Sequence, residues 1–79
     1  MMRVKKWKIL VTFPTTTAAL QLEKAAKFGV LPGRLIPVPA LLSAGCGLAF
    51  CTETEYQDEV LRLLGQAGIS FEGLHEVLL

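Results

Sequence analysis

From Leu35 to Thr52 the chain carries no charged residue, and this stretch constrains the fold more than any other. Its length is close to the roughly 20 residues that a membrane-spanning helix needs. Its content forbids one. Pro37 and Pro39 break a helix through the middle, and Gly45 and Gly47 flank Cys46. In lipid the freed backbone groups would find no partner. The stretch therefore reads as two buried strands joined by a turn, with no membrane role. At the N-terminus, basic residues precede the apolar run Ile9 to Phe13, but that run is too short for a secretory signal and Pro14 ends it. A cytoplasmic location is the expectation.

The chain has 79 residues, 52% of them hydrophobic and 19% charged, with a formal net charge of +1. That length suits one domain, residues 1–79, and a chain this short buries only about 60–65% of its unfolded surface. The charge balance excludes a nucleic-acid module, which needs a surplus of Lys and Arg. The hydrophobic content excludes a disordered chain. It also leaves an apolar excess that a small surface has to accommodate. Two cysteines and one histidine are too few for a disulfide scaffold or a structural zinc site, so no metal and no cofactor are expected.

Punctuation by Pro, Gly and Thr divides the chain into six elements. Lys8 to Phe13 reads as a strand, apolar at Trp7, Ile9, Val11 and Phe13. Thr15, Thr16 and Thr17 offer N-caps for a helix from Ala18 to Phe28, with Gly29 as its C′ residue. Arg34 to Val38 reads as an edge strand because of Pro37, and Cys46 to Thr52 as a central one. Thr52 to Glu55 matches a capping box for a second helix that runs to Gln66, with Val60, Leu63, Leu64 and Ala67 inward and Gly68 as cap. Phe71 to Leu78 closes the chain as a strand. The order βαββαβ predicts an α+β, ferredoxin-like sandwich: a four-stranded antiparallel sheet, first and third strands central, both helices on one face.

That topology brings the start of the third strand beside the N-terminus of the first helix. Strand alternation turns Cys46, Leu48 and Phe50 one way and Gly47, Ala49 and Cys51 the other. With Leu48 and Phe50 facing the helices, Cys46 is expected at the helix-side rim. A helix N-terminus favours an anion and lowers the pKa of a thiol placed there. Gly45 and Gly47 leave such a thiol unshielded, and Ser43 with Thr15, Thr16 and Thr17 could contribute donors to a bound anion. Each feature also has a plainer reading. A cysteine in a small apolar protein is most often a buried hydrophobe, which is the reading kept for Cys51. The threonines suit turns and caps, His75 suits a packed or rim position on the last strand, and Lys5, Lys6 and Lys8 suit a solvated strand start.

The segments ILVTFPTTTAALQLEK, RLIPVP and SAGCGLAF, and the closing GI-x-FEGLHEV, together resemble a family of small bacterial domains, DUF3343, described as selenium/sulfur carrier-like. The resemblance runs over nearly the whole chain and is most specific at Ser43-x-Gly45-Cys46-Gly47-Leu48. Members tend to carry a charged residue after the IPxP segment, where this chain has Ala40-Leu41-Leu42. The resemblance implies that Cys46 bears a persulfide or selenosulfide taken from a donor protein and passed to an acceptor, so that the chain is a carrier rather than a stand-alone enzyme. The competing expectation is a non-catalytic interaction or small-anion-binding module. In either case the apolar third strand, with Leu10 on the face away from the helices and Leu74 and Leu78 there on one of the two parities open to the last strand, leads to the expectation of a homodimer through the open sheet face.

Overall fold

The computed structural model describes residues 5–39, 42 and 47–79. Its first strand, β1 (Trp7–Thr12), is central and antiparallel to both neighbours. Phe13 is fully buried and Pro14 turns the chain into α1 (Thr16–Phe28). Thr15 is the N-cap: its hydroxyl accepts from the Ala18 N–H at 3.1 Å, satisfying one of the four unpaired donors that open a helix. Thr16 and Thr17 belong to the first helical turn and are exposed.

The expected C′ position of α1 moves by one residue. Gly29 has φ −84°, and it is Val30 that takes the left-handed conformation at φ 57°. The Leu31 N–H donates to the Ala26 carbonyl at 2.8 Å and the Val30 N–H to the Lys27 carbonyl, which is the Schellman pattern with a valine where glycine is usual.

The strands β2 (Arg34–Pro37) and β3 (Leu48–Glu53) follow. With the last strand, β4 (Gly73–Leu78), the sheet order is β2-β3-β1-β4, so β2 is an edge strand, as Pro37 requires. The proposed capping box does not form. Thr52 is paired with Ile9 inside the ladder, and its buried hydroxyl donates to the Pro32 carbonyl at 2.6 Å instead of capping a helix. Glu53 is held in the same ladder opposite Lys8. A 3-10 turn (Thr54–Tyr56) makes the exit, and α2 (Gln57–Ala67) begins after it. Gly68 ends α2 at φ 63°. Strand β4 starts two residues later than expected.

Both helices pack on one face of the sheet. Ile9, Val11 and Phe50 from the strands meet Ala19, Leu22, Val60 and Leu64 from the helices in a single buried cluster, with Leu48 and Leu63 packed against it. Ala67, expected inward, is exposed. The register settles the parity of β4, which the sequence leaves open. Leu74 pairs with Val11 and Leu78 with Trp7, so both lie on the helix side, while Gly73, His75 and Val77 face the other way. On that helix-free face Leu10 sits between Cys51 and His75, and both Leu10 and Ala49 are fully buried within the chain. The centre of the face is therefore not the open leucine surface that the sequence suggested.

Candidate functional site

Of the sequence-derived site residues, the described part of the structure contains Thr15, Thr16, Thr17 and Gly47; Ser43, Gly45 and Cys46 lie outside the described residues, as does the expected start of the third strand at Cys46. The register brings the four together at one end of the sheet. Thr12 pairs with Ala49, so the chain leaves β1 towards Pro14 at the end where Gly47 leads into β3. Gly47 is exposed, has φ 76°, and its carbonyl accepts from the Val38 N–H at 3.0 Å, which ties it to the end of β2. The N-terminus of α1 opens at this same end, with its aligned peptide dipoles and the hydroxyls of Thr16 and Thr17. Thr15 is spent on the cap, so only its two neighbours keep hydroxyls free of that duty.

Sequence reading set Cys51 aside as a buried hydrophobe, and the structure gives it a different setting. It is half-buried on the helix-free face, directly opposite Arg34 of β2. Around it is a cleft of about 490 Å³, lined by Lys8, Arg34, Ile36 and Glu53 and by the Pro32–Gly33 backbone. Lys8 was expected to be a solvated residue at the strand start; its ammonium instead donates to the Glu53 carboxylate. That hydrogen bond is the main reason the Glu53 carboxyl lies below its ordinary pKa. Burial pushes the Cys51 thiol above its ordinary pKa, against the pull of Lys8 and Arg34. The pairing of Arg34 with Cys51 depends on the β2–β3 register, which no local motif announces.

Among the described residues no group of His, Cys, Asp or Glu could hold a metal ion, and no helix is long and apolar enough to cross a membrane.

An antiparallel sheet in the order β2-β3-β1-β4, with two helices on one face, makes this an α+β protein of the ferredoxin-like class. The chain belongs to the family described as "Putative Se/S carrier protein-like", whose sequence profile matches residues 8–76, in agreement with the resemblance drawn from its motifs. No curated protein and no solved structure gives a significant match.

Proposed function

We propose that the protein carries sulfur or selenium on Cys46. The observation that carries this reading is the family match across residues 8–76, a span that includes Cys46 and its glycine neighbours. The local geometry supports it. Gly47, the chain neighbour of Cys46, sits at the end of the sheet where α1 opens, and a helix N-terminus stabilises negative charge.

In loading, the Cys46 thiolate attacks the outer sulfur of a persulfide on the donor. The new S–S bond forms as the donor's S–S bond breaks, and the donor cysteine leaves as its thiolate. The product is a persulfide anion on Cys46, or a selenosulfide when the group carried is selenium. Delivery is the reverse exchange, with a nucleophile on the acceptor. Gly45, Gly47, Ser43, Thr16 and Thr17 are the residues proposed to hold the anion, through backbone N–H groups and hydroxyls. The protein thus needs a donor and an acceptor, and acts as a carrier.

The test is to incubate the reduced protein with a cysteine desulfurase and cysteine and to weigh it intact. The expected result is a product heavier by one sulfur atom in the wild type and in Cys51→Ala, and no added mass in Cys46→Ala. Sulfur retained by Cys46→Ala would refute the assignment.

A further inference from the structure

The cleft over Cys51 plays no part in the carrier reading, and its chemistry is specific enough to name a ligand class. Its floor is set by register: Arg34, Cys51 and Leu10 form one cross-strand row, and Lys8 and Glu53 form the next. The charges do not cancel. The Lys8 ammonium is bonded to Glu53, whereas Arg34 has no ion pair among the described residues. One guanidinium fork is thus left facing a concave site, and its geometry matches a carboxylate. A phosphate would bring more negative charge than the single unneutralised cation balances, and it would meet Glu53 as well. Besides Arg34 and the Lys8–Glu53 pair the lining is uncharged, and it includes the soft Cys51 thiol and the Ile36 side chain. The volume, about 490 Å³, is in the range of small-molecule sites.

We propose that this cleft binds small carboxylate-bearing sulfur compounds, thiols and their disulfides, with the carboxylate on Arg34 and the sulfur against Cys51. When the ligand is a disulfide, the seated sulfur can exchange. The Cys51 thiolate, having lost its proton to solvent, attacks one sulfur, the ligand's S–S bond breaks, and half the ligand leaves as a thiolate; the disulfide is the oxidant. Burial keeps most of the thiol protonated at neutral pH, so the exchange is slow, but the preference between ligands of different charge does not depend on the thiolate fraction.

The test uses the full chain carrying Cys46→Ser, so that Cys51 is the remaining thiol, and is therefore independent of the carrier reading. Modification rates are measured with 5,5′-dithiobis(2-nitrobenzoate), which carries carboxylates, and with neutral 4,4′-dithiodipyridine. Arg34→Ala is expected to slow the carboxylate reagent about five- to tenfold, in line with loss of one charge-assisted contact, and to change the neutral reagent less than twofold. Arg34→Lys is expected to restore part of the rate. Arg62→Ala, which removes the same charge from the exposed surface of α2, is expected to leave both rates unchanged. A second measurement needs no substitution at Arg34: (methylthio)acetate should protect Cys51 from iodoacetamide, and its methyl ester should not. The proposal is overturned if Arg34→Ala slows both reagents alike or neither, if Arg62→Ala matches it, or if acid and ester protect equally.

Discussion

Val30 provides the sharpest test of the backbone reading, because the chain contains its own control. Both helices end in the same pattern. The Leu31 N–H reaches the Ala26 carbonyl at 2.8 Å, and the Ile69 N–H reaches the Leu64 carbonyl at 3.0 Å. The left-handed residue is Val30 in the first case and Gly68 in the second, at φ 57° and 63°. An L-residue in this conformation costs about 1–2 kcal/mol, and a β-branched one lies towards the upper end. Val30 is 86% exposed, so removing its side chain sacrifices only about 0.3 kcal/mol of burial. Glycine adds back roughly 0.5–1 kcal/mol through its freer unfolded state. Val30→Gly should therefore stabilise the fold by about 0.5–1 kcal/mol, raising Tm by about 3–6 °C in a chain of this size. The reverse experiment is Gly68→Val. A Cβ at Gly68 would meet nothing within 4 Å, so the left-handed penalty, less the roughly 0.5–1 kcal/mol regained from a stiffer unfolded chain, leaves a loss of about 0.5–1.5 kcal/mol. Thermal and urea melts followed by circular dichroism measure both. A lower Tm for Val30→Gly, or an unchanged one for Gly68→Val, would refute the argument.

Other expectations follow from the sheet. Gly33→Ala should destabilise by about 2–4 kcal/mol in urea melts, since its Cβ would stand 2.5 Å from the Phe50 ring and 2.8 Å from the Cys51 carbonyl, at φ 150°. Alkylation of Cys51 should rise with pH through a midpoint above that of an ordinary thiol, because burial raises its pKa, while the proposed site requires a midpoint for Cys46 below that of Cys51. The same shift sets a sign for stability: a thiol whose pKa is raised on folding stabilises below its unfolded pKa, and that contribution is lost as pH rises through the folded value. Cys51→Ala should accordingly flatten the alkaline side of the stability profile measured by urea melts. Glu53 has the opposite sign. Its lowered pKa supports the fold above the unfolded value and ceases to as pH falls through the folded one, so Glu53→Gln should reduce the loss of stability on acidification.

The architecture was legible in the sequence because each boundary has a local chemical cause. Pro14 stops β1, Thr15 caps α1, Pro37 confines β2 to an edge, and Gly68 ends α2. Alternation in β3 gave the correct face for Leu48 and Phe50. What failed was decided by pairing. Thr52 has the composition of a cap, but its place in the ladder opposite Ile9 keeps it extended and sends its hydroxyl to Pro32. The face of Leu74 and Leu78, open in the sequence, depends on how the turn before Gly73 meets β1, where the Glu72 N–H donates to the Thr12 carbonyl at 2.7 Å. Likewise Arg34 and Cys51 are 17 residues apart in sequence, and only the register makes them neighbours. The apolar excess has a similar resolution. Part of it fills both faces of the central strands, including Leu10 and Ala49, and part remains exposed at Trp7, Phe28, Val30 and Leu78.

The strand geometry also separates the two thiols. Leu48, Ala49 and Phe50 are all extended in β3, so the Cα atoms of Gly47 and Cys51 are about 13 Å apart. Cys46 is bonded to Gly47, which places its Cα within about 3.8 Å of that residue. The Cα atoms of Cys46 and Cys51 are thus at least about 9 Å apart, whatever path the chain takes before Gly47. A disulfide tolerates no more than about 7 Å. While β3 is paired to β1, Cys51 cannot close a disulfide with Cys46 in the same chain, and so cannot expel the outer sulfur of a Cys46 persulfide as sulfide. On the proposed reading, sulfur loaded on Cys46 would then not be lost through an intramolecular disulfide and would be held for an acceptor. The lifetime of the loaded form, followed by intact mass at low protein concentration without acceptor, should be the same in wild type and in Cys51→Ala. A markedly longer lifetime in Cys51→Ala, or an intramolecular Cys46–Cys51 disulfide recovered from the folded wild type, would show that the strand opens on the timescale of transfer and would undo this account.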